Sequence, residues 1–394
     1  MTRSKFMSVV IASATFALFG NGSATACPYH LAGGYDPTGV WPTQSSIMAS
    51  LAKTNAVSPA AVPVDTTVTS WLLNTTGVKG RSTDTGINAI VSKIDANVQQ
   101  VRYTATNVYV NVTSIPDYNM GPFGGIPNSP ANSNATFRIT RTPVVNAGTK
   151  TATGGGAIGV LVNGVEVFNA SDQQSFQNQN VWHGNAGVAE GPSLDASYSH
   201  PQQQGVYHSH ATATGLMTKL GQTSTQTSPL IGFAIDGFPI YGSYASQNAD
   251  GSGGIVRQTS SYQLRSIADR STLPDGTVLA ANRRGPAIDA AHPLGYYQED
   301  YVYVAGSGLL DQYTGRFVVT PEYPAGTYAY FASIDATSKP AYPYYVGPSY
   351  YGVVGTDNLP GGTITVPADA TAYVPEPAAM AVMGVVAMVL RRRK

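Results

Sequence analysis

The feature that most constrains the fold is a series of short apolar segments separated by turn residues. Ile158–Val162 and Val165–Phe168 flank Asn163-Gly164, a dipeptide that readily adopts the two positive φ angles of a tight hairpin turn. A second strand and turn are predicted over Leu230–Tyr241. Because no long helix is needed to connect these segments, the sequence predicts a mainly β fold, an antiparallel sandwich or barrel-like domain with short helices.

Other segments fit the same scheme. Val108, Val110 and Val112 alternate with polar or aromatic residues, which predicts a strand with one buried face. Further strands are predicted at Thr136–Thr140, Asp300–Val304, Arg316–Thr320 and Thr327–Phe331. Helical spacing of apolar residues predicts a short helix at Thr85–Ala96, and Ser45–Lys53 is a second helix candidate.

The N-terminus has the pattern of an export signal. Arg3 and Lys5 precede the apolar run Phe6–Phe19, and Ala24-Thr25-Ala26 is a pattern that signal peptidase cleaves. Residues 1–26 are therefore predicted to be removed, which leaves Cys27 as the first residue. Cys27 is the only cysteine, so the chain forms no intramolecular disulfide. Lipid attachment to Cys27 is the alternative processing, although that pathway favours Leu where Ala24 stands.

The C-terminus has three ordered parts: Pro375-Glu376-Pro377, the apolar segment Ala378–Leu390, and a basic cluster that ends at Lys394. The apolar segment is shorter than the ~20 residues of a comfortable membrane-spanning helix. The layout resembles the PEP-CTERM sorting signal. That resemblance implies a Gram-negative bacterium, processing by an exosortase, transient anchoring in the inner membrane by a transmembrane helix, and delivery to the cell surface or medium in an exopolysaccharide setting.

The charge balance argues against a nucleic-acid partner. The chain has 22 basic and 22 acidic residues, but six basic residues lie in the two predicted processing signals, so 16 basic residues remain against 22 acidic ones. Binding to nucleic acid draws much of its affinity from clustered Lys and Arg, which this body lacks.

Three of the six histidines lie within eleven residues of one another, at His200, His208 and His210. On a strand, His208 and His210 would point to the same side. Neutral imidazoles suit a divalent transition metal such as Zn or Cu. The alternative is that each ring only forms hydrogen bonds inside a tyrosine-rich interior. Additional ligands are predicted among four residues: His183, Asp195, Asp236 and Asp311.

Ordered motifs resemble the YHYH-domain family over residues 96–356. The matching segments include Ile115–Tyr118, Ala157–Val160, Asn163–Val165, Trp182-His183, Ser199–Pro201, Tyr207–His210, Asp236–Gly242, Glu299–Tyr301, Gly315–Phe317, Thr320–Pro324, Gly326–Phe331 and Pro343–Gly347. The resemblance implies an exported protein of a family whose activity is poorly defined. Ser209 replaces the family's second tyrosine, and Ala196–Ser199 lacks the Cys and Gly that relatives tend to carry. The implied organisation is a poorly defined segment 27–95, the domain 96–356, a linker 357–374 and the sorting signal 375–394.

The sequence leaves three functional hypotheses. The first is an exported, surface-sorted protein with a histidine-centred metal site, associated with exopolysaccharide or matrix. The second is a metal-dependent hydrolase acting on an extracellular polymer or ester, with Asp236 or Glu322 transferring protons. The third is a purely structural matrix component. Asp236-Gly237 is equally typical of a turn, and the tyrosine run from Tyr342 to Tyr351 fits core filling better than a sugar-stacking surface.

Overall fold

The computed structural model describes residues 66–126, 128–359 and 362–375. The predicted helix Ser45–Lys53, the N-terminal signal with Ala26 and Cys27, and the C-terminal apolar segment lie outside these ranges, as do Glu376 and Pro377. None of the helices in the described ranges has the length and apolar character needed to cross a bilayer.

Four short α-helices and twenty strands are present in the described ranges. The helices are α1 (Thr66–Thr69), α2 (Thr85–Val91), α3 (Ala186–Ala189) and α4 (Thr214–Lys219). The first ten strands are β1 (Arg81–Ser82), β2 (Val98–Tyr103), β3 (Asn107–Val112), β4 (Asn119–Met120), β5 (Ala135–Thr140), β6 (Ala157–Leu161), β7 (Glu166–Phe168), β8 (Ser171–Ser175), β9 (His183–Asn185) and β10 (Ser199–Pro201). The others are β11 (Tyr207–Ser209), β12 (Leu230–Ala234), β13 (Pro239–Tyr241), β14 (Tyr244–Ser246), β15 (Ile255–Arg257), β16 (Tyr262–Leu264), β17 (Tyr301–Tyr303), β18 (Gly315–Val318), β19 (Thr327–Phe331) and β20 (Thr371–Ala372).

The largest sheet has eight strands in the order β10-β11-β7-β6-β12-β13-β19-β18. The predicted mainly β fold is confirmed, but this sheet is mixed rather than antiparallel, because β11 pairs parallel to β7 and β13 pairs parallel to β19. Long connections, not hairpins, link the strands of both parallel pairs, as parallel pairing requires. The sheets of the described residues form no closed barrel.

A four-stranded sheet, in the order β20-β2-β3-β5, shares the hydrophobic core of the larger sheet. Val108, Val110 and Val112 on β3 are fully buried, as their alternation predicted. The two sheets meet closely at Gly164, where a Cβ atom would lie 2.9 Å from the Val112 Cβ. The tyrosine run is also core: Tyr342, Tyr344, Tyr345 and Tyr350 are buried.

The Asn163-Gly164 hairpin forms, but its predicted turn geometry is wrong. Gly164 has a φ of 80°, whereas Asn163 does not have a positive φ. The connection is a three-residue loop in which Gly164 N–H donates to Leu161 O at 2.8 Å and Leu161 N–H donates to Val165 O at 2.8 Å. A loop of this length needs only one residue in the left-handed region, so glycine alone meets the requirement.

Helix α2 begins as predicted, with the Asp84 side chain accepting a hydrogen bond from Ile87 N–H at 3.0 Å. It ends at Val91, five residues before the predicted end at Ala96. Ile94 O accepts from Gly80 N–H, and Ala96 N–H donates to Val78 O. Pairing with this neighbouring segment therefore replaces helical hydrogen bonds after Val91.

Candidate metal centre

Strand pairing brings the first two histidines together. Strands β10 and β11 are antiparallel, and His200 lies directly opposite His208. Gly205, with a φ of 80°, closes the turn between the strands. His210 follows two residues after His208, and its ring lies 4.8 Å from the His208 ring between centroids. Ser209 points away from the cluster and bonds to the Tyr345 hydroxyl at 2.9 Å, so its replacement of a tyrosine leaves the histidine face intact.

The Nδ1 atom of each histidine has its own hydrogen-bond acceptor. His208 Nδ1 lies 3.0 Å from Val206 O, and His210 Nδ1 lies 2.8 Å from Asn169 O. Because a carbonyl only accepts, both Nδ1 atoms carry the proton.

His200 Nδ1 lies 2.7 Å from Ser193 Oγ, and the serine hydroxyl donates its own hydrogen to Glu190 O at 2.7 Å. Ser193 Oγ is therefore the acceptor of the His200 contact. All three neutral rings consequently present an unprotonated Nε2, which is the form that binds a metal.

The three Nε2 atoms converge, and a carboxylate oxygen joins them. His208 Nε2 lies 3.0 Å from His210 Nε2, and the ligand atoms of the three rings all lie within 4.8 Å of one another. Glu190 Oε2 lies 3.1 Å from His210 Nε2 and 3.6 Å from His200 Nε2. Donors about 2.0–2.1 Å from a tetrahedral zinc ion are separated by roughly 3.3–3.4 Å. The separations of 3.0, 3.1 and 3.6 Å lie on either side of that value, whereas the widest pair of ring nitrogens, within 4.8 Å, must move closer to share an ion.

No hydrogen is available to link these acceptors to one another in their neutral state. Glu190 Oε2 is buried, and when His210 is neutral with its proton on Nδ1, no donor within the described residues reaches this oxygen. Two imidazole lone pairs facing each other at 3.0 Å repel, and a buried acceptor without a donor is costly. A cation bound between these atoms would relieve both problems, so the donor set fits a metal ion.

Glu190 was not predicted from the sequence. It directly follows α3, where its N–H donates to Ala186 O at 3.0 Å, and the turn Gly191–Ser193 follows. One short segment thus supplies both the carboxylate and the serine that orients His200. The available signal was weak, since Glu190 is merely one of three acidic residues between Val167 and His210.

Burial favours the neutral form of His200 and His208. Burial lowers the pKa of His200 to about 4 and that of His208 well below its usual value. The His208 ring also stacks on Phe168 with centroids 3.9 Å apart. Burial alone would raise the pKa of Glu190, but a hydrogen bond from a protonated His210 and the positive charges of protonated His210 and His200 outweigh this and lower it. Neutral imidazoles and an ionised carboxylate are the forms that metal binding requires.

The centre opens into a cleft of about 730 Å³, whose lining includes all three histidines and Glu190. Asp172 lies on the same cleft, and its carboxylate packs against Gly184, where a Cβ atom would be only 2.1 Å from Asp172 Oδ2. Burial raises the pKa of Asp172. The cleft therefore places a second carboxylate beside the cluster and gives solvent or a ligand access to it.

The fourth imidazole proposed from the sequence lies in a different place. His183 Nδ1 contacts Glu299 Oε1 at 2.6 Å and His183 Nε2 lies 3.0 Å from Asn180 Oδ1. The contact with Glu299 raises the pKa of His183. The ring lines a separate cavity of about 440 Å³ and is not part of the cluster.

The carboxylates proposed from the sequence are likewise outside the cluster, and each binds neighbouring groups of the fold. Asp195 accepts from the Tyr207 hydroxyl at 2.8 Å, and Asp236 accepts from the Tyr330 hydroxyl at 2.6 Å. Asp236 also accepts from Phe238 N–H, as its turn interpretation predicted.

Asp311 accepts from the Tyr328 hydroxyl at 2.9 Å, and Glu322 Oε2 accepts from the Tyr241 hydroxyl at 2.9 Å. Burial raises the pKa of Asp236 to about 6 and that of Asp311 to about 7. Catalytic roles for Asp236 and Glu322 stay predictions.

Fold and site together define a mixed-sheet β protein with a buried three-histidine cluster at the floor of an open cleft. The sequence profile of the YHYH protein family matches residues 136–343, more than half of the chain, and this protein belongs to that family. The matched region contains the three histidines and Glu190. No curated protein and no solved structure matches the chain.

Proposed function

We propose that this protein is exported to the cell surface or the extracellular space and binds a divalent transition metal at His200, His208, His210 and Glu190. The observation that carries the proposal is the fixed tautomer of the three rings. Each Nδ1–H is held by its own acceptor, so each neutral ring keeps a lone pair on Nε2, and the ligand atoms of the three rings lie within 4.8 Å of one another, with Glu190 Oε2 3.1 Å from His210 Nε2.

The donor chemistry favours zinc or copper. Imidazole suits both metals, whereas calcium takes mainly oxygen ligands. The contacts behind the ligands resemble those of established metal sites, in which a histidine ligand donates its other N–H to a carbonyl or a polar side chain.

Export and sorting are supported by the sequence at the two ends of the chain. The segment up to Ala26 suits signal peptidase, and the segment from Pro375 suits an exosortase. Association with exopolysaccharide follows from the latter resemblance. Mass spectrometry of the protein purified from its native envelope tests the proposal, since an N-terminus at Cys27 and loss of the C-terminal basic cluster are expected. An unprocessed chain in the cytoplasm would refute it.

Metal analysis tests the site itself. We expect the protein expressed from the full gene to retain close to one zinc or copper ion per chain, and the variant His208→Ala/His210→Ala to retain none. His292→Ala is the matched control, because His292 contacts Asp289 and lies outside the cluster. Equal and negligible metal in all three proteins would refute the proposal.

A metal-dependent hydrolase is the second candidate, and the open cleft with Asp172 favours it. A bound metal ion would supply an acidified water molecule. Asp172 lies where it could accept a proton from a group in the cleft, unlike Asp236 and Glu322, whose carboxylates bind tyrosine hydroxyls. Loss of ester or glycoside turnover in Asp172→Asn with the metal content unchanged would support this candidate. Absence of turnover in the metal-loaded protein across such substrates would reject it.

A further inference from the structure

The cleft above the histidine cluster has an unusual charge balance. Its acidic side chains are Asp172 and Glu190, and none of the described residues that line it is Lys or Arg. Proteins hold phosphate, sulfate and carboxylate groups mainly with Arg and Lys. The cleft provides neither.

A bound divalent ion would not leave the cleft with an excess of positive charge. The carboxylates in its described lining belong to Asp172 and Glu190. A divalent cation would only balance those two charges. An acidic ligand would then meet Asp172 with no Lys or Arg in the described lining to compensate, and the two like charges would repel.

The cleft does offer neutral hydrogen-bonding groups. Gln174, Gln202 and Gln203 line it, and their side-chain amides form no hydrogen bond with any described residue. An amide donates and accepts, as a hydroxyl group does. These side chains therefore remain available to a ligand with many hydroxyl groups. The volume of about 730 Å³ lies within the ~300–1,000 Å³ typical of small-ligand sites.

We propose that the cleft binds an uncharged, polyhydroxylated ligand, a short segment of a neutral polysaccharide, and discriminates against acidic saccharides of the same shape. The proposal rests on the proposed metal centre, which would face one hydroxyl of the ligand. The glutamine side chains contact the remaining hydroxyls, and Asp172 repels an acidic sugar.

Calorimetry with matched probes tests the proposal on the full-chain, metal-loaded protein. The pair is trigalacturonic acid and its fully methyl-esterified form, which share sugars and linkages and differ in charge. Cellotriose and triacetylchitotriose serve as further neutral probes. We expect at least one neutral probe to bind and the acid to bind roughly tenfold more weakly, or worse, than its methyl ester.

Variants test which side chains cause the discrimination against the acid and the binding of the neutral probes. Asp172→Asn should narrow the gap between the acid and its ester, and Gln202→Leu/Gln203→Leu should weaken neutral binding. Gln204→Leu is the control, because Gln204 is adjacent, exposed and not part of the cleft lining.

Two outcomes would overturn the proposal: binding of the acid as tight as that of the ester, or no binding of any neutral probe. Metal content is measured on the same samples. Absent metal would mean that the proposed centre has failed, whereas bound metal without saccharide binding would mean that only this inference has failed.

Discussion

Replacing His210 by asparagine separates a metal site from a set of buried hydrogen-bonded histidines. An asparagine amide can reproduce the Nδ1–H donor that contacts Asn169 O at 2.8 Å, but it has no equivalent of Nε2. The variant therefore retains the structural hydrogen bond and removes the atom that lies 3.0 Å from His208 Nε2 and 3.1 Å from Glu190 Oε2.

The expected difference in stability between His210→Asn and wild type is small without metal and large with it. Without metal, His210→Asn should be no more than about 1 kcal/mol less stable than wild type, because relief of a buried unsatisfied acceptor, about 1–3 kcal/mol, offsets the smaller side chain. With free zinc at about 100 times its dissociation constant, wild type should gain about 2.7 kcal/mol and the variant nearly nothing. For a fold of roughly 300 residues, whose unfolding entropy is about 0.6 kcal/mol/K, that gain raises the wild-type melting temperature by about 4 °C.

Differential scanning fluorimetry with zinc and with a chelator measures both effects, and His292→Ala should show the full wild-type shift. If zinc stabilises His210→Asn as much as wild type, the ion binds elsewhere. If His210→Asn is strongly destabilised in chelator and zinc has no effect on wild type, the histidines are structural and the metal proposal is wrong.

Three further predictions concern other parts of the structure. Ser193→Ala removes the acceptor of His200 Nδ1–H and should weaken metal binding by about 10–100-fold in calorimetric titration, with an unchanged circular dichroism spectrum; unchanged affinity would show that this contact does not orient the ring. Arg270→Met leaves the fully buried carboxylate of Asp300 unpaired and should cost about 3–5 kcal/mol in urea unfolding; a cost below about 1 kcal/mol would contradict this. Asp311 has a pKa of about 7 in the fold, above its unfolded value, so its stabilising contribution is complete below about pH 4 and is lost as the pH rises through 7. Asp311→Asn should flatten the decline in urea midpoint over that range, and an unaltered pH profile would reject the assignment.

The sequence predicted those elements whose determinants are local. Alternation at Val108, Val110 and Val112 located a strand, and Asn163-Gly164 located a hairpin. The parallel pairs β7–β11 and β13–β19 could not be predicted in this way, because they depend on long connections between segments far apart in the chain. The end of α2 at Val91 was missed for a related reason, since tertiary pairing with Val78 and Gly80 overrides helical spacing.

In the candidate site, too, the sequence predicted only what local spacing determines. Spacing alone placed His208 and His210 on one face of a strand, and proximity in sequence suggested His200. The cross-strand register of His200 with His208 and the approach of Glu190 depend on tertiary structure. Asp195 is nearer to His200 in sequence than Glu190 is, yet its carboxylate contacts Tyr207 instead. Closeness in sequence therefore favoured Asp195, whereas the carboxylate that lies close to the histidines in space is that of Glu190.

The central claim is that a metal ion binds among the three Nε2 atoms and Glu190 Oε2. Crystals of the zinc-loaded protein, with anomalous diffraction recorded on both sides of the zinc absorption edge, test this directly. The account predicts a single strong zinc peak about 2.0–2.2 Å from these four atoms. A peak coordinated by Nδ1 atoms or by another group of residues, or no peak at the cluster, would contradict it.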